Sequence, residues 1–240
     1  MSEPEFYIGI DFGHEETKVS CVSGTNRESI SRILLRKSGD FIYEIYRYDK
    51  YEWKFVRSME YLKCKELREG FKGMIHNLPE YKREALREFA KLVFNAILDN
   101  DEDLRYDPET GMANFVICIA NPSDWRRQSF KNPKECLTFF QEGADFKPAK
   151  MCINESDAAF YTIFEEYTPS DTVFVIDLGS SSIDFSTYQN TICNHECCWA
   201  ENLGAHIIED KIVEYGYTEA ENKEENIKGM LLVNTLLIIT

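Results

Sequence analysis

Two stretches of this 240-residue chain end an apolar run on an acid and follow it with very small residues. The first is YIGIDFGHEETKVSCV, residues 7–22, and the second is VFVIDLGSSSIDFSTY, residues 173–188. At an offset of 166 residues, Ile10 falls on Ile176, Asp11 on Asp177, Gly13 on Gly179 and Ser20 on Ser186. A turn that approaches phosphate closely needs little or no side chain, because its backbone N–H groups do the binding. Gly13 and Gly179 meet that need, and Ser180, Ser181 and Ser182 add small hydroxyl donors beside the amides. Asp11 and Asp177, at the strand ends, stand where they could orient Mg²⁺ through waters. That ion favours one or two carboxylates and keeps much of its water shell. Lys18 adds a positive charge and Asp184 a further carboxylate. A lone Asp-x-Gly after a strand is an ordinary turn whose serines bond locally. Two copies, each set between two strands, predict a pair of phosphate loops clamping a nucleotide between two lobes.

The elements that must hold these turns can be read from periodicity. Apolar, β-branched runs predict strands at Phe6–Ile10, Lys18–Val22, Ile30–Leu35, Phe41–Tyr48, Phe115–Ala120, Met151–Ile153, Val173–Ile176, Ile183–Tyr188 and about Glu196–Ala200. The segment PEYKREALREFAKLVFNAILDN predicts a helix starting at Pro79, with Leu86, Phe89, Ala90, Val93 and Ile97 on one stripe. Further helices are expected from Asn121-Pro122-Ser123 to about Phe130, from Pro133 to near Gly143, and over ESDAAFYTIFEEY, AHIIEDKIVEYG and EAENKEENIKGMLLVNTLLII. Hairpins followed by alternating helices indicate an α/β domain. The polar, proline-containing EYTPSD, residues 166–171, marks a lobe boundary, giving a first lobe over 1–168 and a second over 169–240.

The formal charge of −15 disfavours a nucleic-acid or anionic-membrane partner, since either would be repelled on average. A polyanion site must then be local: backbone amides, a lysine or a metal ion. MSEPEF has neither the basic start nor the apolar segment of a secretory leader, and LLVNTLLIIT is far short of a roughly 20-residue membrane span. Eight cysteines without such a leader read as reduced cytoplasmic thiols, with Cys21, Cys118 and Cys152 serving as small hydrophobes in strands.

The two loops and the blocks between them resemble the actin-like ATPase superfamily, and within it the heat-shock 70-kilodalton chaperones. IGIDFGHEETKVSCV resembles that family's first phosphate loop and VFVIDLGSSSIDFSTY its second. FVICIANPSDWRRQSF, INESDAAFYTIFEEY and ENLGAHIIEDKIVEY, in family order, resemble the strand–helix, connecting-helix and Leu-Gly-Gly segments. The resemblance implies a ribonuclease-H-like first lobe and the opening part of a second. It implies Asp11 and Asp177 near a water-held Mg²⁺, Glu155 near its water shell, and Asp184 handling the attacking water. Amides of Gly13, His14 and Glu15 would meet phosphate from one side, and Gly179, Ser180 and Ser181 from the other. Ser182 replaces a threonine, and Gly204 belongs to the Leu-Gly-Gly block. Lys18 falls where actins keep a phosphate-binding lysine. Lys72, in EGFKGMI, is the candidate for the chaperones' catalytic lysine, with an ordinary solvated lysine as its alternative. The implied function is binding ATP/ADP with Mg²⁺ and, in a complete protein, hydrolysing it to drive a protein or peptide client's cycle. The alternative is a degenerate actin-fold scaffold that binds a protein without turnover.

Three departures bear on that choice. His14 and Glu15 replace two threonines, with Glu16 next, and Ser180 and Ser181 replace two glycines. The family's downstream adenosine motif has no counterpart, so a fragment or a shortened member with weak affinity and little or no turnover of its own is expected. A sugar kinase or polyphosphate phosphatase of the same superfamily has no specific motif here. CNHECC, residues 193–198, has zinc-ligand residue types, but Cys193, His195 and Cys197 alternate as on one face of an outgoing strand. His14 could be a general base, or stand where only its amide matters. The alternating FIYEIYRYDKYEWKF predicts a two-sided hairpin.

Overall fold

The computed structural model describes residues 4–13, 16–26, 28–37, 42–49, 51–60, 79–121, 137–143, 145–164, 172–179, 183–189, 191–194, 197–201 and 235–239. The chain divides into two compact units, Met1–Asn154 and Glu155–Thr240.

In the first unit, β1 (Phe6–Phe12), β2 (Glu16–Ser23), β3 (Ser29–Lys37), β4 (Ile42–Asp49) and β5 (Glu52–Glu60) form an antiparallel meander. Helix α1 (Glu80–Asn100) then returns the chain to β6 (Phe115–Asn121), which lies parallel to the other edge of β1. A π-helical turn at Phe139–Gly143 precedes β7 (Ala149–Asn154), parallel to β6. The resulting order is β5-β4-β3-β2-β1-β6-β7. Parallel neighbours need such crossovers, whereas the meander needs only turns.

Period-two alternation buries Ile8, Ile10 and Phe12 of β1, Val19 and Cys21 of β2, Ile33 and Leu35 of β3 and Ile117 and Ile119 of β6. The stripe Leu86, Phe89, Ala90, Val93 and Ile97 of α1 is buried in the same core. Phe89 meets Tyr43 at 4.9 Å between ring centroids and Phe12 edge-on at 6.1 Å. Pro79 enters the helix at φ −54°, ψ 149°, and its carbonyl accepts the Lys82 and Arg83 amides. At the other end Asn100 Nδ2 donates to the Ala96 carbonyl, Asp101 turns extended, and Asp101 Oδ2 accepts a buried hydrogen bond from Ser31 Oγ at 2.7 Å. That bond ties the end of α1 to β3.

The second unit opens with α2 (Glu155–Phe164), followed by β8 (Thr172–Leu178) and β9 (Ile183–Gln189), an antiparallel hairpin. The short β10 (Ile192–Cys193) and β11 (Trp199–Glu201) both pair with β9, and β12 (Thr235–Ile239) pairs with the free edge of β8. Phe160 of α2 stacks on Tyr188 of β9 at 3.9 Å and 4°, packing with Val173 and Val175.

The contact division at Asn154/Glu155 precedes the polar 166–171 segment, because α2 packs on β8 and β9. Two expectations are corrected. Thr235–Ile239, expected as the end of the last helix, form β12, which pairs its backbone with β8, and the rest of that expected helix lies outside the described residues. The outgoing strand at 196–200 is interrupted. Asn194 turns the chain after β10, so Cys193 and Cys197 do not share one strand, and pairing resumes only at Trp199. The expected hairpin over 41–55 is β4–β5, with Tyr48 against Trp53 and Tyr46 against Phe55. The helices expected over 121–130 and 205–216, and most of that beginning at Pro133, lie outside the described residues.

Cys21 and Cys152 are buried, Cys118 is half-buried, and all six cysteines among the described residues are free thiols. Burial, and after it the Asp101 carboxylate, pushes the Cys21 thiol from 9.0 up to about 12. Burial, and then Cys152, pushes Cys118 up to about 11. A folded-state pKa above the unfolded one gives stability that is whole below the unfolded value and is lost as pH rises. The urea midpoint of the first unit should therefore hold to about pH 9.0, the unshifted thiol value, then fall towards the shifted ones. Native Cys21 and Cys118 should also resist alkylation at about pH 8, since only thiolate reacts. Fast labelling of either would overturn their assignment as packed thiols.

Candidate functional site

The two hairpins share one register. The offset that carries Asp11 onto Asp177 carries Phe6–Phe12 onto Thr172–Leu178, and each β1–β2 pair onto a β8–β9 pair: Phe6↔Ser23 onto Thr172↔Gln189, Phe12↔Thr17 onto Leu178↔Ile183. The sequence repeat is therefore a structural repeat, and each copy sets its aspartate one residue from the end of its first strand.

In the first copy Asp11, half-buried, lies directly across from Lys18, on the face of β1 opposite the core, where Tyr7 and Gly9 are exposed. The parallel neighbours β6 and β7 end beside it. Asp11 pairs in register with Ala120, and Asn121 with Asn154. Ligands of open α/β sheets bind at such carboxyl ends of strands. Gly13 follows, its amide donating to the Asp11 carbonyl at 3.1 Å. A Cβ at Gly13 would collide with the Glu16 carbonyl oxygen, so only glycine allows this turn to close. The Glu16 carboxylate faces Arg36 of β3 at 3.7 Å, which draws this acid towards a cation on its neighbouring strand.

In the second copy Asp177 lies across from Asp184. Like charges directly opposite destabilise a strand pair. Asp184 is only 2 % exposed, and the two facing carboxyl groups offer oxygen ligands side by side. Both acids stand on the face that α2 covers. Ser186 Oγ, two residues on, donates to Ser156 Oγ at 2.6 Å, both buried, and Tyr188 Oη donates to Asp157 Oδ1 at 2.6 Å. Burial, and then the bond to Asp157, drives the Tyr188 phenol well up, keeping it a neutral donor. These bonds dock the first turn of α2, which begins at Glu155, against the strand that carries Asp184. The donor set suits a hard cation that needs one or two carboxylates and retains water. Among the described residues, no three His, Cys, Asp or Glu side chains form a direct metal-ligating group.

Asp11, Gly13 and Lys18 thus come together in the first unit, and Asp177, Gly179, Asp184 and Glu155 belong to neighbouring elements of the second. His14, Glu15, Lys72, Ser180, Ser181, Ser182 and Gly204 lie outside the described residues. The clamp formed by Ser156, Asp157, Ser186 and Tyr188 was not anticipated, although Ser20 matching Ser186 was a partial sign of it. Two open grooves of the first unit contain none of the expected residues. One, of about 620 Å³, includes Arg32, Arg47 and Lys54; the other, of about 890 Å³, includes Arg105, Met112 and Lys150.

The two glycines of β1 and its turn offer a controlled comparison, because a Cβ at Gly9 meets nothing within 4 Å. Gly13→Ala should lower stability by about 1–3 kcal/mol through forced backbone distortion, whereas Gly9→Ala should be near neutral or stabilising. Equal urea midpoints for the two variants would remove the steric argument. Tyr188→Phe should cost the second unit about 1–3 kcal/mol by removing the Tyr188 Oη–Asp157 hydrogen bond.

No family model matches the chain, and no curated protein matches it. Among solved structures the chain is similar to the MamK double helical filament, with 15% identity and a TM-score of 0.55, covering 92% of this chain and 61% of that one. It is also similar to MreB5 of Spiroplasma citri bound to ADP (14% identity, TM-score 0.49, 91% and 58%). A third likeness is the ethanolamine utilization protein EutJ from Carboxydothermus hydrogenoformans (12% identity, TM-score 0.49, 92% and 61%). The last two likenesses carry no argument of their own. The chain spans about three fifths of the length of these proteins. The mixed sheet, its order and the MamK likeness give the chain the actin-like fold.

Proposed function

We propose that the chain binds the phosphates of ATP or ADP with Mg²⁺, as part of an actin-like nucleotide-binding domain. The observation that carries this is the pair of hairpins in identical register, each presenting an aspartate and then a glycine turn at a strand end. In this reading the Gly179 amide and, on release from the Asp11 carbonyl, the Gly13 amide donate to phosphate oxygens, with His14, Glu15, Ser180, Ser181 and Ser182 extending the two loops. Lys18 supplies positive charge beside Asp11. Asp11 and Asp177 hold the ion's water shell, with Glu155 at its margin, and Asp184 orients the attacking water. Bound Mg²⁺ would neutralise charge on the phosphates; the chain's own work is positioning, which dominates phosphoryl transfer. Hydrolysis is proposed for the complete protein, with Lys72 and Gly204 as further contacts. Coupling of that cycle to a client, as in the heat-shock 70-kilodalton chaperones, is the finest form of the proposal and rests on the quoted motifs alone.

The second reading is an actin-fold scaffold that binds a protein without turnover. The acids Glu15 and Glu16 beside the first turn favour it, and the ion pair of Glu16 with Arg36 weighs against it.

Calorimetric titration of the 240-residue chain with Mg-ATP separates the two. The nucleotide reading expects saturable heat, weakened about tenfold or more in Asp177→Asn and Asp11→Asn, which corresponds to about 1.4 kcal/mol or more each. Because every contact proposed for this chain is to phosphate or its ion, inorganic triphosphate should compete about as well as ATP. A parent chain that gives no heat ends the nucleotide reading and leaves the scaffold.

A further inference from the structure

The end of β10 and its connection to β11 hold three of the chain's cysteines, Cys193, Cys197 and Cys198, and the proposed nucleotide chemistry uses none of them. Cys193 Sγ and Cys198 Sγ lie 3.4 Å apart, both half-buried, while Cys197 is exposed. The loop is shaped by Asn194. Its amide donates to the Thr187 carbonyl at 2.7 Å, and its own carbonyl accepts the Cys197 amide at 2.9 Å and the Cys198 thiol at 3.3 Å. Asn194 Nδ2 also donates to Cys197 Sγ at 3.4 Å, which engages that thiol apart from the pair. Cys193 is anchored below, packed against the Phe160, Val173, Val175 and Tyr188 cluster. Both thiols are thus delivered to one point by the fold and not by chance loop closure.

We propose that Cys193 and Cys198 form a reversible dithiol–disulfide pair that reacts with hydroperoxides. A sulfur–sulfur bond is about 2 Å long, so closing the pair takes about 1.4 Å of movement, within reach of side-chain rotation. One thiolate attacks a peroxide oxygen; the O–O bond breaks, a sulfenic acid forms, and the leaving oxygen departs as water or alcohol. The second thiol then attacks the sulfenic sulfur, the S–O bond breaks, water leaves and the disulfide forms. Two thiols are oxidised and one peroxide is reduced. A dithiol reductant reverses the step by exchange. Because β10 and β11 both pair with β9, and Ala200 lies across from Asp184, the bond would staple the connection that braces the acid's strand.

The test uses the full chain, reduced and freed of reductant, then exposed to hydrogen peroxide, blocked with maleimide and cut after glutamate. Cleavage after Glu196 places Cys193 and Cys198 on different peptides, so only a disulfide joins them. The joined pair should appear with a loss of about 2 Da, vanish with dithiothreitol, survive in Cys197→Ser, and be absent in Cys193→Ser and Cys198→Ser. In the native protein it should form at least about tenfold faster than in urea, since the fold supplies the proximity. Joining that persists in Cys198→Ser and disappears in Cys197→Ser would assign the wrong partner. Equal rates in native and unfolded chain, or no joined pair, would overturn the proposal.

Discussion

The first unit is organised around β1, whose backbone is hydrogen-bonded on one edge to β2 and on the other to β6. A strand paired on both edges has no freedom left except which face it turns inward. Ile8, Ile10 and Phe12 settle that choice by entering the core with Phe89 and Phe140. Asp11 is then forced onto the opposite face, since an unpaired carboxylate among those rings would carry a desolvation cost of several kcal/mol. The same pairing fixes its height, level with the carboxyl ends of β6 and β7. The aspartate is a consequence of the hydrophobic pattern around it.

The second hairpin repeats the backbone geometry of the first and changes its electrostatics. Where Asp11 faces a lysine, Asp177 faces another aspartate, and that second acid is buried. One copy sets an acid across from a base, and the other sets two acids across from each other. The burying faces differ as well. In the first copy the acid's face is the exposed one; in the second, α2 covers the acid's face through Ser156–Ser186, Asp157–Tyr188 and the Phe160–Tyr188 stack. The far face of β8 and β9 carries the aromatic group Phe174, Phe185 and Trp199. A duplicated backbone unit has thus been given two different environments.

Much of this is legible in the sequence. Strands with strict alternation, such as β1, β3 and β6, can be located in the sequence to within a residue or two, and the α1 stripe residue by residue, because burial on one face imposes a period that survives in the letters. Short or shared elements cannot. Thr235–Ile239 reads equally well as the end of an apolar helix, and only the bare edge of β8 makes it a strand. The cysteine-rich stretch alternates on paper, yet the Asn194 hydrogen bonds break it into two pieces.

What the sequence determined by itself was the repeat: two strand–turn–strand units with an acid and a glycine at equal positions, because a close turn restricts residue type and a pleated strand restricts order. The tertiary structure alone decided that Lys18 lies across from Asp11 and Asp184 across from Asp177, that Glu16 is drawn to Arg36, and which face of each hairpin is covered. Alternation announces that a strand has two faces. Which of them is buried depends on residues more distant in the chain, and cross-strand partners are set by register, a property of two strands together that neither segment encodes alone.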